Sequence, residues 1–366
     1  MKLDQDYMRM ALELAASALG KTNPNPVVGA VIVKDGVIVG TGLHRKAGEP
    51  HAEVHAFRMA GDHAKDATLY VTLEPCSHYG KTPPCALLVK ESGVKRVVVA
   101  TEDPNPQVAG RGINILREAG IEVEVGILQK EAQQLNERFI HNMIHGTPFV
   151  ISKVAMTLDG KIATHTGHSQ WITGEAARKE VHLLRNEVDG ILVGIGTVLA
   201  DNPRLTTRLE GPSKNPIRII LDANLRTPLE AHITDCKEAK TIIVTSAIAH
   251  SSKAIALEEK GVDLLTVPSI NGQLDLKIAL KELYKRGITD ILLEGGSEVN
   301  ASFMRQGLIN KYLVYIAPKI VGGTNSYTPF RGEDIDKVEE AVPLRFEKTE
   351  WVGADIKITA YPVSNK

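Results

Sequence analysis

Three short segments do most to restrict what this chain can fold into: His51-Ala-Glu53, Pro75-Cys76 and Pro84-Cys85. Pro50 before His51 marks a helix start, and Thr82-Pro-Pro84 before Cys85 marks another, with Thr82 as its N-cap. Residues i and i+2 of a helix point about 200° apart, so His51 and Glu53 cannot both face a site beside their helix. They can share one in front of its N-terminus. The fold must therefore bring two helix N-termini and the Cys76 loop to one point. One neutral imidazole and two thiolates are three ligands for zinc, and a fourth position left to water is the pattern of a catalytic centre. Zinc makes water reactive near neutral pH, and Glu53 is placed to carry its proton to a leaving amine. A helix N-terminus also lowers a thiol pKa, which suits Cys85 as a ligand.

Composition narrows the class. The thiols number three, Cys76, Cys85 and Cys236, too few and too odd for a disulfide framework, so a reducing, cytoplasmic setting is expected. Cys236 sits in a polar stretch and reads as a non-ligand. No apolar run approaches a membrane span, Val27 to Val33 being typical of the longest, and the N-terminus has no signal-peptide core. Lys and Arg total 43 against 44 Asp and Glu, and the first 145 residues alone carry 16 basic and 17 acidic, so neither half is a basic body. With only 6 Phe, 8 Tyr and 2 Trp for stacking, a nucleic-acid binder is not expected. The expected partner is a small molecule, in a homo-oligomer that touches no membrane.

Periodicity gives an α/β class twice over. Asp4 to Gly20 has helical spacing, and Lys34-Asp-Gly36 joins the β-rich runs Val27 to Val33 and Val37 to Thr41 as a hairpin. Helices follow at Ala52 to Ala60, Cys85 to Ser92, Gly110 to Ala119 and Lys130 to Ile144, alternating with strands at Thr68 to Leu73, Val94 to Ala100 and Ile121 to Val125. His145-Gly-Thr-Pro148 then breaks the chain, so one domain is expected over 1–146 and a second over 147–366. The second alternates again, with strands at Phe149 to Ala155, Gly190 to Ile195, Pro216 to Leu221, Lys240 to Thr245, Val262 to Val267, Ile291 to Leu293, Lys311 to Ala317 and Ala354 to Tyr361. Its helices are expected at Ala176 to Glu187, Asp275 to Arg286 and Val299 to Gln306.

The combination of H-x-E with two P-C segments matches the zinc deaminase pattern, except that eight residues rather than two separate the cysteines. Ser77 to Pro84 must then loop out near the substrate. With Thr22-Asn-Pro-Asn-Pro-Val-Val-Gly-Ala-Val-Ile-Val33, Gly42-x-His44, Glu74-Pro-Cys-Ser-His-Tyr-Gly-Lys-Thr-Pro-Pro-Cys85 and Asp103-Pro-Asn-Pro106, the first half resembles the cytidine deaminase superfamily. Within it, the eight-residue spacing resembles the pyrimidine-deaminase half of the bifunctional riboflavin-biosynthesis deaminase–reductases. The resemblance implies an α/β/α domain with Asn25, His44, His78 and Lys81 around the substrate, Lys81 or His44 at its phosphate.

In the second half, Lys153-Val-Ala-Met-Thr-Leu-Asp-Gly-Lys-Ile-Ala163, Thr197 to Arg208 and Leu292-Leu-Glu-Gly-Gly-Ser297 stand at strand ends, the last as a Gly-rich turn opening a helix, whose N–H groups can hold a phosphate. Together they resemble the reductase half of the same family, with a dihydrofolate-reductase-like fold. The resemblance implies NADPH near Ala155, Trp171, Thr197, Asp201, Ser246 and the turn Gly295, Gly296, Ser297, Glu298 and Val299. It implies substrate ribose and phosphate near Ser169, Arg185, Leu205, Arg208 and Glu294. Arg185 and Arg208 are then expected to clamp phosphate, and Lys153 and Asp201 to give polar assistance at the carbon reduced. His63, His141, His145, His182, His232 and His250 lack partners at ligand spacing and read as structural. Two rivals remain: a zinc nucleoside or tRNA deaminase with an accessory domain, and a zinc-stabilised binding module. A three-ligand site beside a glutamate speaks against the module, since structural zinc is closed by four protein ligands.

Overall fold

The computed structural model describes residues 2–79, 83–105, 109–246 and 251–363. The chain divides into two compact units, Met1–Gly146 and Thr147–Lys366.

The first unit runs α1 (Lys2–Ala16), β1 (Gly29–Lys34), β2 (Val37–Leu43), α2 (Ala52–Ala60), β3 (Thr68–Val71), α3 (Cys85–Glu91), β4 (Arg96–Val99), α4 (Arg111–Glu118), β5 (Glu122–Val125), α5 (Gln129–Leu135) and α6 (Glu137–His145). Its sheet has the order β2-β1-β3-β4-β5, antiparallel at β2-β1-β3 and parallel from β3 onward. The hairpin turns at Asp35 and Gly36, both at positive φ, as a tight Asp-Gly turn requires. The α2 helix lies directly on β2. Ala52, Ala56 and Ala60 are buried on its inner face, and a Cβ on Gly42 or Gly40 would come within 2.1 Å of the Ala52 carbonyl or 2.3 Å of the Ala56 carbonyl. Small residues on both partners thus fix where the N-terminus of α2, with His51 and Glu53, must sit.

The single helix expected over Lys130 to Ile144 is two helices. Asn136, at φ −104° and ψ 20°, breaks it, and its buried amide bonds both backbone groups of Val27 at 2.9 Å. The i→i−4 bonds persist across this point, from the Asn136 N–H to the Ala132 carbonyl at 3.2 Å and from the Ile140 N–H to the Asn136 carbonyl at 2.9 Å, so the break is a kink in the Asn136 backbone angles.

The second unit runs β6 (Phe149–Thr157), α7 (Glu175–Glu187), β7 (Gly190–Gly194), α8 (Ile195–Asp201), β8 (Ile217–Leu221), β9 (Thr241–Thr245), α9 (Ser252–Glu259), β10 (Asp263–Thr266), β11 (Ser269–Ile270), β12 (Gln273–Leu274), α10 (Leu276–Lys285), β13 (Asp290–Leu293), α11 (Ser297–Arg305), β14 (Lys311–Ala317), β15 (Leu344–Val352) and β16 (Asp355–Pro362). Nine strands pair in the order β10-β9-β8-β7-β13-β6-β14-β16-β15, parallel as far as β14 and antiparallel at β16 and β15. Ile219 and Ile242 join one apolar core while Ile220 and Ile243 join another, which is why the parallel strands read as unbroken apolar runs. Arg218 is buried among them. Its guanidinium donates to Thr241 Oγ1 at 2.9 Å and to the carbonyls of Asp235 (2.7 Å), His232 (3.3 Å), Arg204 (3.4 Å) and Ala239, tying the segments at 204 and 232–239 to the sheet.

Five elements escape the sequence reading, among them the two-residue strands β11 and β12, which pair with each other. The α8 and α9 helices are of seven and eight residues, and α9 buries only Ala254 and Leu257. The β15 strand is an edge strand whose Phe346 and Trp351 are exposed, so its pattern does not follow burial. Among the described residues no helix is long and apolar enough to cross a membrane.

Candidate active sites

In the first unit His51 is the N-cap residue of α2 and Cys85 the first residue of α3. Cys85 Sγ lies 3.3 Å and Cys76 Sγ 3.6 Å from His51 Nδ1. The ligand atoms of the three all lie within 4.8 Å of one another, and among the described residues no other group of His, Cys and acidic side chains has such spacing. The two helix N-termini and the Cys76 loop therefore meet. Thr82 lies outside the described residues, and the cap of α3 is Pro84; the Cys85 N–H is taken by Cys76 Sγ at 3.3 Å. The hydrogen bond from Cys85 pulls the Cys76 thiol well below its ordinary value, while Cys76 and burial push Cys85 up. His51 is raised by its contact with Cys76. Soft sulfur and imidazole donors at contact distance fit zinc.

Glu53 is 3% exposed, and its Oε2 is buried without a hydrogen-bond partner. Burial pushes its carboxyl up to about 7, so near neutral pH it can hold or release a proton. His44 packs edge-on against His51 with ring centroids 5.3 Å apart. Its Nδ1 faces the Pro50 carbonyl at 3.3 Å, so the proton sits there, and Nε2 accepts from Asn25 Nδ2 at 3.2 Å. Buried with both nitrogens engaged, His44 has no donor to offer a phosphate; it orients Asn25 and His51 instead. His78 is exposed, beside the Asp103 carboxyl, which burial raises. Lys81 lies outside the described residues.

Sequence reasoning missed Glu74. Its buried carboxylate accepts from Gly112 N (2.8 Å) and Ile113 N (3.2 Å) on one oxygen, and from Gly110 N (2.9 Å) and Asp103 N (3.1 Å) on the other. It caps α4 and so pins the Pro75-Cys76 turn. The signal was present in Glu74-Pro-Cys76, since an acid two residues before a ligand needs a reason.

In the second unit a cleft of about 1220 Å³ opens over the C-terminal ends of β7 and β13 and beside β6. Of the residues expected at cofactor, Ala155, Trp171, Thr197, Asp201 and the whole turn Gly295 to Val299 line it; of those at substrate, Ser169, Arg185, Arg208 and Glu294 do. Two do not. Leu205, at φ 55°, is buried in the apolar core under α8, where an aliphatic chain is better placed than in a polar cleft. Ser246 bonds the Ala223 carbonyl at 3.0 Å, behind the wall of a second groove of about 290 Å³ that shares Gly194, Gly196, Glu298 and Val299 with the cleft.

Glu294 is the electrostatic centre. Arg185 reaches it through Nε at 2.8 Å and Nη2 at 3.1 Å, and Lys153 Nζ lies 3.0 Å away. Burial opposes the charged form, but the two cations outweigh it and hold the carboxyl far below the ordinary range. Arg185 gives its remaining edge to the Thr206 carbonyl at 3.0 Å. Nε, Nη1 and Nη2 of Arg185 thus each meet a protein acceptor at the cleft wall. Arg208 is exposed and its side chain has no partner among the described residues. Asp201 closes α8, and burial at the cleft wall raises its carboxyl. His182, read from sequence as structural, also lines the cleft.

Residues 148–358 match the model of the RibD C-terminal domain, and residues 1–101 that of the cytidine and deoxycytidylate deaminase zinc-binding region. A curated relative, the riboflavin biosynthesis protein RibD of Aquifex aeolicus, is 47% identical, with 98% of each chain covered. The chain belongs to the RibD family. A solved Acinetobacter baumannii RibD superposes with a TM-score of 0.88 at 40% identity over 99% of both chains. A Thermotoga maritima structure described as a diaminohydroxyphosphoribosylaminopyrimidine deaminase/5-amino-6-(5-phosphoribosylamino)uracil reductase gives 0.86 at 38%, again over 99% of each. The chain is thus a bifunctional deaminase–reductase of riboflavin biosynthesis, with a zinc-binding cytidine-deaminase-like unit and a dihydrofolate-reductase-like unit. A nucleoside or tRNA deaminase with an accessory domain is not favoured, since the likeness runs through both units in order.

Proposed function

We propose that the 1–146 unit deaminates a phosphoribosylated diaminopyrimidinone and that the 147–366 unit then reduces the ribosyl group of the aminouracil product to ribityl. The observation that carries the first half is the meeting of His51, Cys76 and Cys85 around one point, with the buried carboxylate of Glu53, whose Oε2 has no hydrogen-bond partner, two residues from His51. His51, Cys76 and Cys85 would hold zinc, which when bound makes water nucleophilic near neutral pH. Glu53 takes the proton of the attacking water as its oxygen adds to the ring carbon, then gives it to the amino group that leaves as ammonia. Asn25 and His78 face the substrate, with His44 behind them, and a phosphate contact through Lys81 is part of the same reading.

The cleft supports the second half. The turns Gly194 to Gly196 and Gly295 to Gly296 end neighbouring parallel strands, where ligands of such sheets bind. A Cβ on Gly196 would meet nothing within 4 Å, which leaves room for a cofactor against the backbone. The adjoining groove, with Ser246 behind it, continues the cleft past Gly194, Gly196, Glu298 and Val299. We assign it to NADPH, which when bound supplies the hydride. The ribose must open to an imine before its C1 is reduced. Asp201, on the cleft wall, supplies the proton there, and the Lys153 ammonium, fixed by Glu294, steadies the developing charge. Arg208 takes the phosphate. The two ligand thiols belong to a reducing cytoplasm. A homo-oligomer, supported by the exposed edge strand β15 with Phe346 and Trp351, is part of the same reading, as is the absence of a nucleic-acid partner, supported by the balanced charge.

The test is to supply the diaminopyrimidine with and without NADPH and follow products by mass. Without NADPH an amino group is replaced by oxygen; with it, two hydrogens are gained as well. The reading fails if neither product forms in zinc-loaded protein. The ligand set has its own test. Cys85→Ser puts a hard hydroxyl in place of a soft thiolate and should lower zinc content sharply, whereas Cys236→Ser should leave it unchanged. Equal loss in both would show the ligands misassigned.

A further inference from the structure

Arg178, His182 and Arg185 line the cleft from one face of α7, spaced by four and three residues. Two of them hold the segment that carries Arg208. Arg185 donates to the Thr206 carbonyl at 3.0 Å, and the Arg208 backbone N–H donates to His182 Nδ1 at 3.3 Å. Between them the Thr207 N–H goes to Asn215 Oδ1 at 2.9 Å. Three successive residues are anchored in this way directly after Leu205, which is held at positive φ. An imidazole nitrogen accepts only when it carries no proton, so the contact fixes His182 as the neutral ring with its proton on Nε2. The surroundings enforce that state. Burial first, then Arg185 and Arg208, with Lys153 adding to them and Glu294 opposing, lower its pKa to about 4.

We propose that His182 is a positioning residue for the reductase substrate: by holding the Arg208 backbone it aims the otherwise unpartnered Arg208 guanidinium at the substrate phosphate. The inference rests on the reading of Arg208 as the phosphate-binding group. A charged histidine would lose the acceptor and add a fourth cation to the cluster of Lys153, Arg185 and Arg208, so neutrality is what allows the role.

The experiment is steady-state reduction of the deaminated substrate in its phosphorylated and dephosphorylated forms. His182→Ala should raise KM for the phosphorylated form by about tenfold or more, with kcat and the KM for NADPH little changed, and should not affect the dephosphorylated form. His182→Asn keeps an acceptor near the Nδ1 position and should recover most of the loss, which a merely space-filling role would not predict. In an Arg208→Ala background, His182→Ala should add nothing further. The proposal is overturned if both substrate forms suffer alike, if the KM for NADPH moves with them, or if the two substitutions add. If the unaltered protein does not prefer the phosphorylated form, the phosphate reading of Arg208 itself fails, and the role of His182 with it.

Discussion

Glu53→Ala should lower ammonia release by about 10²- to 10⁴-fold, the range carried by a positioned general acid–base group, while the pre-deaminated substrate is still reduced at the original rate. Glu53→Gln should do the same, because it keeps the shape and removes the proton carrier. Neither change should unfold the unit, since Glu53 Oε2 makes no hydrogen bond that would be lost. Zinc content should hold as well, because His51, Cys76 and Cys85 are untouched. Ammonia release, NADPH oxidation and metal content measured on one preparation separate these outcomes. If reduction of pre-deaminated substrate were silenced too, with metal and melting normal, one composite site would have to replace two independent ones.

Glu294→Ala should be the most damaging single change in the second unit. It leaves Lys153 and Arg185, whose side chains are only 15% and 12% exposed, without their shared counter-charge. Removing one member of such a buried group costs about 3–5 kcal/mol, and reduction should fail with it because Lys153 loses its anchor. Denaturant unfolding followed alongside NADPH oxidation checks both. The pH dependence has a definite sign. The Glu294 carboxyl is depressed on folding, so its contribution is fully present above the ordinary carboxylate range and is lost as pH falls through and below it. Acid should destabilise the unaltered protein more than Glu294→Ala. A variant as stable as the parent at neutral pH would mean that the two cations find other partners.

The zinc site was legible because helix-start chemistry and metal chemistry agree on the same residues. Proline before His51 and before Cys85 places both at helix ends, and the structure has them there. The parallel strands were legible through their apolar runs. What escaped depends on contacts between distant residues. Nothing near Asn136 says that its amide will bond Val27, and nothing near His182 says that the Arg208 N–H will arrive at its ring. The bond from Arg185 to Glu294 was likewise not legible, because it follows from burial while residue type suggests only an anion partner.

The anchoring of the metal loop bears on exchange. Glu74 ties the Cys76 turn to four backbone N–H groups, and glycines in β2 seat the helix of His51, so the donors are gathered by folding itself. An ion arriving at such a site does little ordering of the chain, unlike one that must fold its domain. Chelators should therefore empty the protein reversibly rather than denature it. A preassembled nitrogen–sulfur pocket also has few means of refusing other soft divalent or cuprous ions, which bind such donors as well or better. Fidelity to zinc then falls to the metal supply of the surrounding compartment, and mismetallation becomes the characteristic hazard of this half of the molecule.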